Sequence, residues 1–239
     1  MRVVCRLRSA RAIATWDAMV DDDKRLAAEA AVSEIAPGML VGLGTGSTAA
    51  YAIRAIGERR LDIAAVATSR ASEALARSVG IRVVDFADVT RVDVTIDGAD
   101  EIDDRFFAIK GAGGAMLREK IVAAASRRMI IVADGTKRVA AIGAAKLPVE
   151  ILPFARASTI AALEALGAEV TIRAGFRTDQ GNIVADCRFA TFPDPHDLAR
   201  AIDAIPGALG HGLFLSEVDA ACIATDGIVT RLERAPRSG

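Results

Sequence analysis

Four residues able to handle protons and charge, Asp97, Asp100, Lys110 and Glu119, fall within 23 positions of the chain, each beside a strand end or a turn. Val92, Val94 and Ile96 alternate as residues of a buried or half-buried strand do, and the run stops at Asp97-Gly98-Ala99-Asp100. Two carboxylates therefore stand where a parallel strand ends, the edge at which open α/β sheets bind ligands. A second apolar run, Phe106 to Ile109, delivers Lys110 into the turn Gly111-Ala112-Gly113-Gly114. A helix follows from Ala115 to about Ser126, with Glu119 in its second turn. A carboxylate that takes up and returns a proton, next to a cation that steadies the charge that develops, is equipment for proton transfer on carbon.

Taken one at a time these features are ordinary. Asp-Gly is common turn chemistry, and Glu-Lys pairs decorate solvated helix faces. Glu119 has Ala115, Met116, Val122 and Ala123 at i−4, i−3, i+3 and i+4, the surroundings of a partly buried carboxylate. Arg118 and Lys120 also have mostly apolar neighbours, so the pattern alone does not choose among the three. The weight comes from all four groups lying so close together, with no metal ligands among them.

A second feature lies upstream. Met39 to Leu43 reads as a short buried strand, and Gly44-Thr45-Gly46-Ser47-Thr48 turns it into a helix, Ala49 to Ile56. Such a bend suits a phosphate: glycines let the backbone approach, hydroxyls donate, and the helix N-terminus adds N–H groups and partial positive charge. No Gly-Lys-Ser/Thr follows, so it is not a Walker A loop. Gly44-x-Gly46-x-x-Ala49 satisfies the looser dinucleotide fingerprint, but after Ile63 to Val66 the chain reads Ala67-Thr68-Ser69-Arg70, without the acid that would hold a ribose. The bend is a good anion site and a poor nicotinamide site.

The frame for these groups can be read in order. Asp21-Asp22-Asp23 places negative charge at the start of a helix running to Ile35. Helix Ala71 to Val79 and strand Ile81 to Val84 follow, and beyond the Glu119 helix Met129 to Ala133 is another buried strand, ended by Asp134-Gly135-Thr136-Lys137. This alternation predicts a Rossmann-like α/β domain with a parallel sheet. From Lys146 the rhythm becomes β-α-β-β-α-β: strands Leu147–Leu152, Ala168–Arg173, Ile183–Phe189 and Leu209–Leu215, with helices 156–166 and 195–205. That is the ferredoxin-like α+β order. The expected organisation is a catalytic domain of residues 19–142 plus 214–233, carrying an inserted domain of residues 143–213. A last hairpin, Ala220 to Thr225 and Ile228 to Leu232, returns to the first domain. Residues 1–18, arginine-rich and without an acid until Asp17, read as a poorly packed extension: a transit peptide, or an over-long start before Met19.

Composition limits the partners. The net charge of −1 argues against a nucleic-acid or membrane surface, and an anionic ligand must be held by local devices. Cys5, Cys187 and Cys222 are scattered and form no CxxC, which points to a reducing cytoplasm rather than to disulfides or zinc. His196, in a Pro-Asp-Pro-His turn, is expected to be exposed, and His211 to be structural.

Several blocks, in a fixed order across residues 20–232, resemble ribose-5-phosphate isomerase, type A. They are Val41-Gly-Leu-Gly-Thr-Gly-Ser-Thr48, Asp97-Gly-Ala-Asp-Glu-Ile102, Lys110-Gly-Ala-Gly-Gly-Ala-Met-Leu-Arg-Glu-Lys120, Ala133-Asp-Gly-Thr-Lys137, and Ile205-Pro-Gly207 with Gly212-Leu-Phe214. The resemblance implies cofactor-free, metal-free interconversion of ribose 5-phosphate and ribulose 5-phosphate, a step of the pentose phosphate pathway. It makes Glu119 the base that moves a proton between C1 and C2 through an enediolate. Asp97, Asp100 and Lys110 would handle ring opening and the developing oxyanion. Thr45, Gly46, Ser47, Thr48, Asp97, Gly98, Ala99, Asp100, Lys110, Gly111, Ala112, Gly113 and Lys137 match substrate-contacting positions. It further implies a Rossmann-like domain with an inserted ferredoxin-like one, assembled as dimers or tetramers.

Departures from the family pattern are local. Ala112 stands where a glycine is usual, Gly210 where a larger residue is common, and Arg70 and Glu73 alter the stretch after the second strand. Two other functions fit parts of the chain: a sugar-phosphate-binding module without catalysis, and an NADP-dependent oxidoreductase using the Gly44 bend.

Overall fold

Short apolar runs alternating with helices wind into a doubly covered sheet. The computed structural model describes residues 10–235. Its first half contains α1 (Ala10–Val32), β1 (Leu40–Leu43), α2 (Ser47–Glu58), β2 (Ala64–Ala67), α3 (Arg70–Ser78) and β3 (Arg82–Val83). Next come β4 (Val94–Gly98), β5 (Glu101–Ile102), β6 (Ala108–Ile109), α4 (Met116–Ala124) and β7 (Met129–Asp134). The chain then forms β8 (Leu147–Ile151), α5 (Arg156–Ala165), β9 (Ala168–Ile172), β10 (Ile183–Phe189), α6 (Pro195–Asp203) and β11 (Ala208–His211). It ends with β12 (Leu213–Phe214), β13 (Ala220–Thr225) and β14 (Ile228–Glu233).

The large sheet has the order β14-β13-β7-β4-β1-β2-β3, parallel throughout except for β14, which pairs antiparallel with β13. All six residues of β7 are buried, and they serve two cores. Ile130 and Val132 pack with Ala27, Ala31, Ile53 and Ile56 on one face, while Met129, Ile131 and Ala133 meet Phe214, Val218 and Ile223 on the other. A strand buried on both faces has no polar alternation, which is why Met129 to Ala133 reads as a continuous apolar run. Each of the larger side chains among these (Ile, Val, Met, Phe) contributes about 1.5–3 kcal/mol when fully buried.

The second sheet, β11-β8-β10-β9, is antiparallel throughout, the ferredoxin-like order expected from β-α-β-β-α-β. Leu163 of α5 and Leu198 and Ile202 of α6 cover it, against Leu147, Val149, Ile151 and Ala185. The buried Glu101 joins the two units by accepting hydrogen bonds from Gly143 N and Ala145 N, both at 2.7 Å.

Three expectations need correcting. The first helix begins at Ala10, not Asp21, so residues 10–18 are helical; residues 1–9 of the expected extension lie outside the described residues. Negative charge at a helix start is worth under about 1 kcal/mol and does not forbid a longer helix. Asp23 is instead buried and takes hydrogen bonds from Asp226 N (3.0 Å) and Gly227 N (2.8 Å), tying the β13–β14 turn to α1.

The single strand read over Leu209–Leu215 is two, β11 and β12, in different sheets. The break is Gly212, whose N–H bonds Pro148 O at 2.8 Å while its carbonyl accepts from Lys110 N at 2.9 Å. A Cβ at Gly212 would lie 2.1 Å from Lys110 O, so only glycine permits this crossing. Finally, the run from Phe106 is a strand only at Ala108–Ile109, because Phe106 has φ of 64° and closes the turn after β5, an element the sequence did not announce.

Among the described residues no helix is long and apolar enough to cross a membrane.

Candidate active site

The chemistry gathers at the carboxyl edge of the large sheet. Asp97 is the penultimate residue of β4 and is fully buried. Its Oδ1 accepts hydrogen bonds from Thr45 N (3.0 Å) and Gly98 N (2.7 Å), and its Oδ2 lies 2.9 Å from Lys110 Nζ. A Cβ on Gly44 would come within 2.1 Å of Asp97 Oδ1, so this glycine makes room for the carboxylate. Lys110 follows β6 and is 2 % exposed. Its ammonium also donates to Gly98 O and stands 3.2 Å from Glu119 Oε2. The lysine thus bridges two buried carboxylates, with the ring of Phe214 5.5 Å away.

The helix periodicity left Arg118, Glu119 and Lys120 open, and tertiary packing separates them. Glu119 is 3 % exposed, beside the buried Met116, Val122 and Ala123. Arg118 reaches toward Asp179 at 3.8 Å, and Lys120 donates to Leu213 O over the face of Phe214. Burial, aided by the negative charge of Asp97 and opposed by Lys110, pushes Glu119 up to about 8. Desolvation also raises Asp97, against the pull of Lys110. Lys110 is held above its ordinary value because its two carboxylates outweigh its own desolvation.

A cleft of about 290 Å³ opens over this cluster. Its walls include Thr45, Gly46, Ser47, Thr48, Gly98, Ala99, Asp100, Lys110, Gly111, Ala112, Gly113, Glu119 and Lys137. Asp97 alone among the sequence-derived candidates does not line it: this carboxylate sits behind Lys110. Asp100 does line it and receives Ala112 N at 2.9 Å. Ala112 lies outside the left-handed region, so replacing glycine there brings no strain.

The Gly44–Thr48 bend leads into α2, whose first turn has no side-chain cap, leaving its N–H groups for a ligand. Gly46 has φ of 109°, a conformation glycine adopts freely. The hydroxyl of Thr45 does not face the cleft chemistry but joins Thr68 (2.8 Å), Ser69 (2.9 Å) and Ser72 (3.3 Å). Ser72 in turn donates to Gly44 O at 2.6 Å. The stretch that departs from the family pattern is therefore the anchor of the bend. Arg70 and Glu73 line a different hollow, beside Arg77 and Phe86.

Sequence reasoning missed Lys24, Asp134 and Thr136, all in the cleft wall. Lys24 follows the aspartate run on α1, where a residue's facing depends on how the helix packs, so no local signal marks it. Asp134 and Thr136 stand in the block that already pointed to Lys137, and Asp134 accepts from Thr136 N at 3.0 Å. His211 is structural, as expected: its Nδ1 accepts from Leu213 N at 3.1 Å, and burial, with Lys120 nearby, lowers it to about 3. His196 is exposed and stacks edge-on with Phe107. Cys187 and Cys222 are buried free thiols.

A Rossmann-like sheet carrying an inserted ferredoxin-like unit sets a buried Glu-Lys-Asp cluster across a cleft from the uncapped start of α2, the fold and site of an enzyme of the aldose-ketose isomerase class. The sequence profile of ribose 5-phosphate isomerase A (phosphoriboisomerase A) matches residues 64–227. Ribose-5-phosphate isomerase A of Sphingopyxis alaskensis is 55% identical over 214 residues, covering 87% of this chain and 94% of that protein. The homonymous protein of Parvibaculum lavamentivorans is 43% identical over 220 residues, covering 86% and 95%. Among solved structures, ribose 5 phosphate isomerase A from Neisseria gonorrhoeae superposes with a TM-score of 0.88 at 36% identity, covering 91% of this chain and 98% of that one. A D-ribose-5-phosphate isomerase in complex with phospho-erythronic acid gives 0.87 at 34% identity, covering 90% and 99%. The chain belongs to the ribose 5-phosphate isomerase A family.

Proposed function

We propose that this chain interconverts ribose 5-phosphate and ribulose 5-phosphate through an enediolate, with Glu119 as the base and no metal. The observation that carries the reading is the buried Glu119 carboxylate 3.2 Å from Lys110 Nζ, both in the wall of one cleft.

In the open-chain aldose, Glu119 takes the proton from C2. The C–H electron pair becomes the C1=C2 bond, and the C1 carbonyl π pair moves onto its oxygen. Lys110 offers positive charge to that oxygen, in a buried setting where such an interaction is strong. A proton passes between the two oxygens, and Glu119 returns its proton to C1, leaving the carbonyl at C2. Asp100, in the cleft wall, is placed to exchange protons with the ring hydroxyl during opening. Asp97 supports the step from behind by holding Lys110 and the Thr45 bend together.

The phosphate lies against the α2 N-terminus, with Ser47, Thr48, Lys24 and Lys137 around it. The ligand of the solved relative supports the enediolate reading. Phospho-erythronic acid joins a phosphate to a planar carboxylate, which resembles an enediolate in shape and charge.

The test is a coupled assay on ribose 5-phosphate with a chelator present, alongside exchange of substrate protons with deuterated water. Turnover and exchange in the chelator are expected. Binding without exchange would leave only a sugar-phosphate-binding module, and loss of turnover on chelation would end the metal-free mechanism.

A further inference from the structure

We propose that Arg173, supplied by the inserted unit, is a positioning residue for the isomerase site, pinning the turn between Lys110 and Glu119. The inference rests on the isomerase reading above.

The Gly111–Gly114 turn has one internal backbone hydrogen bond, from Gly114 N to Gly111 O at 2.9 Å. Gly111 and Gly114 have φ of 105° and 76°, and Ala112 and Gly113 are exposed. Glycines leave the backbone many alternatives, so a fixed turn needs external restraint. The restraint comes from residue 173, just past β9. Arg173 Nη1 donates to Ala112 O at 2.8 Å and Nη2 to Gly111 O at 3.1 Å. The same guanidinium is oriented by Asp186 of β10, through Nε at 3.0 Å and Nη2 at 2.6 Å. The planar fork therefore fixes two carbonyls against one carboxylate, which a lysine cannot do. Phe176 completes the clamp: a Cβ on Gly114 would lie 2.3 Å from its Cζ.

The captured carbonyls belong to peptides that serve the site. The N–H of the Gly111–Ala112 peptide is the donor to Asp100 Oδ2. The Ala112–Gly113 peptide is part of the cleft wall. A cation on a carbonyl polarises the N–H of the same peptide, so Arg173 strengthens these donors as well as placing them. Arg173 does not line the cleft, and the Gly44–Thr48 bend is held by other groups.

The consequence is separable from a structural role. Steady-state kinetics on ribose 5-phosphate for Arg173→Ala should show kcat reduced at least about tenfold with KM within about threefold, the pattern of lost alignment rather than lost phosphate binding. Arg173→Lys should recover only part of the loss. Millimolar methylguanidinium should restore activity to Arg173→Ala and leave wild type unchanged. A kcat within about twofold of wild type, or a loss confined to KM, overturns the proposal. If Arg173→Ala does not fold, Asp186→Asn and Arg173→Lys carry the test, and wild-type kcat in both overturns it equally. An inactive wild type would indict the isomerase reading, whereas an active wild type with indifferent variants indicts Arg173 alone.

Discussion

The chain uses a glycine-rich turn from strand to helix twice, and the two are built differently. The Gly44–Thr48 bend is held from within its own sheet, by Asp97, Thr68, Ser69 and Ser72. It opens onto a helix of 12 residues whose first turn is uncapped. The Gly111–Gly114 turn, besides its own hydrogen bond and that to Asp100, is held from outside by Arg173 and Phe176 of the inserted unit, and opens onto a helix of 9 residues that carries Glu119. The first is suited to bind a fixed charge in ground and transition states alike. In the proposed mechanism the second carries the groups whose interactions strengthen as charge moves. Uniform binding sets KM and differential binding sets kcat, so the two turns should separate in kinetics.

The most severe way to break the second turn is Glu119→Gln. It should retain the fold and lose at least about a hundredfold in kcat, measured by the coupled assay. Unchanged KM in that variant would sharpen the contrast, and near-wild-type turnover would remove it.

Acidity comes next in size. With Glu119 near 8, kcat/KM should rise as pH climbs toward that value, falling about tenfold for each unit below it. Stability should move the opposite way. Glu119 binds its proton more tightly folded than unfolded, so its contribution is complete below the ordinary value of 4.5 and is lost as pH rises through about 8. Glu119→Gln should therefore melt above wild type at alkaline pH, by at least about 3 °C, with the difference closing in mild acid. A flat difference in melting temperature across that window would contradict the buried, raised carboxylate.

The first turn and its surroundings should respond in KM. Lys137→Ala is expected to raise KM about tenfold with kcat within about threefold. A fall in kcat with KM constant would place Lys137 on the chemical side of the cleft.

The smallest effect belongs to Ser72→Ala, which removes the hydroxyl bonded to Gly44 O at 2.6 Å. It should cost about 1 kcal/mol in denaturant unfolding and only a few-fold in KM. A large drop in kcat would mean that the two turns are coupled through Asp97.

Much of this arrangement could be read from residue order, and the unreadable parts share a cause. The ends of β1, β4 and β7 are legible because apolar runs stop at Gly44, at Asp97 and at Asp134-Gly135. The ferredoxin-like order is legible because its strands and helices have different periodicities. The break at Gly212 was not, since Leu209 to Leu215 is apolar enough for one strand, and the switch depends on the close approach of Lys110 O. The start of α1 is not legible, because a run of acids resembles a helix start, whereas Asp23 is spent on a turn more than 200 residues away.

Local chemistry by itself determined the set of candidate groups and the sheet edge to which they belong, because strand ends and glycine bends are written in neighbouring residues. Only the tertiary structure separated the proposed base from its charged neighbours: Glu119 is buried against Lys110, while Arg118 and Lys120 beside it turn away. It likewise set Asp97 behind the lysine, brought Lys24 to the cleft, and placed Arg173 on the Gly111–Gly114 turn. Burial and charge coupling depend on contacts between segments distant in the chain, and no local pattern encodes them.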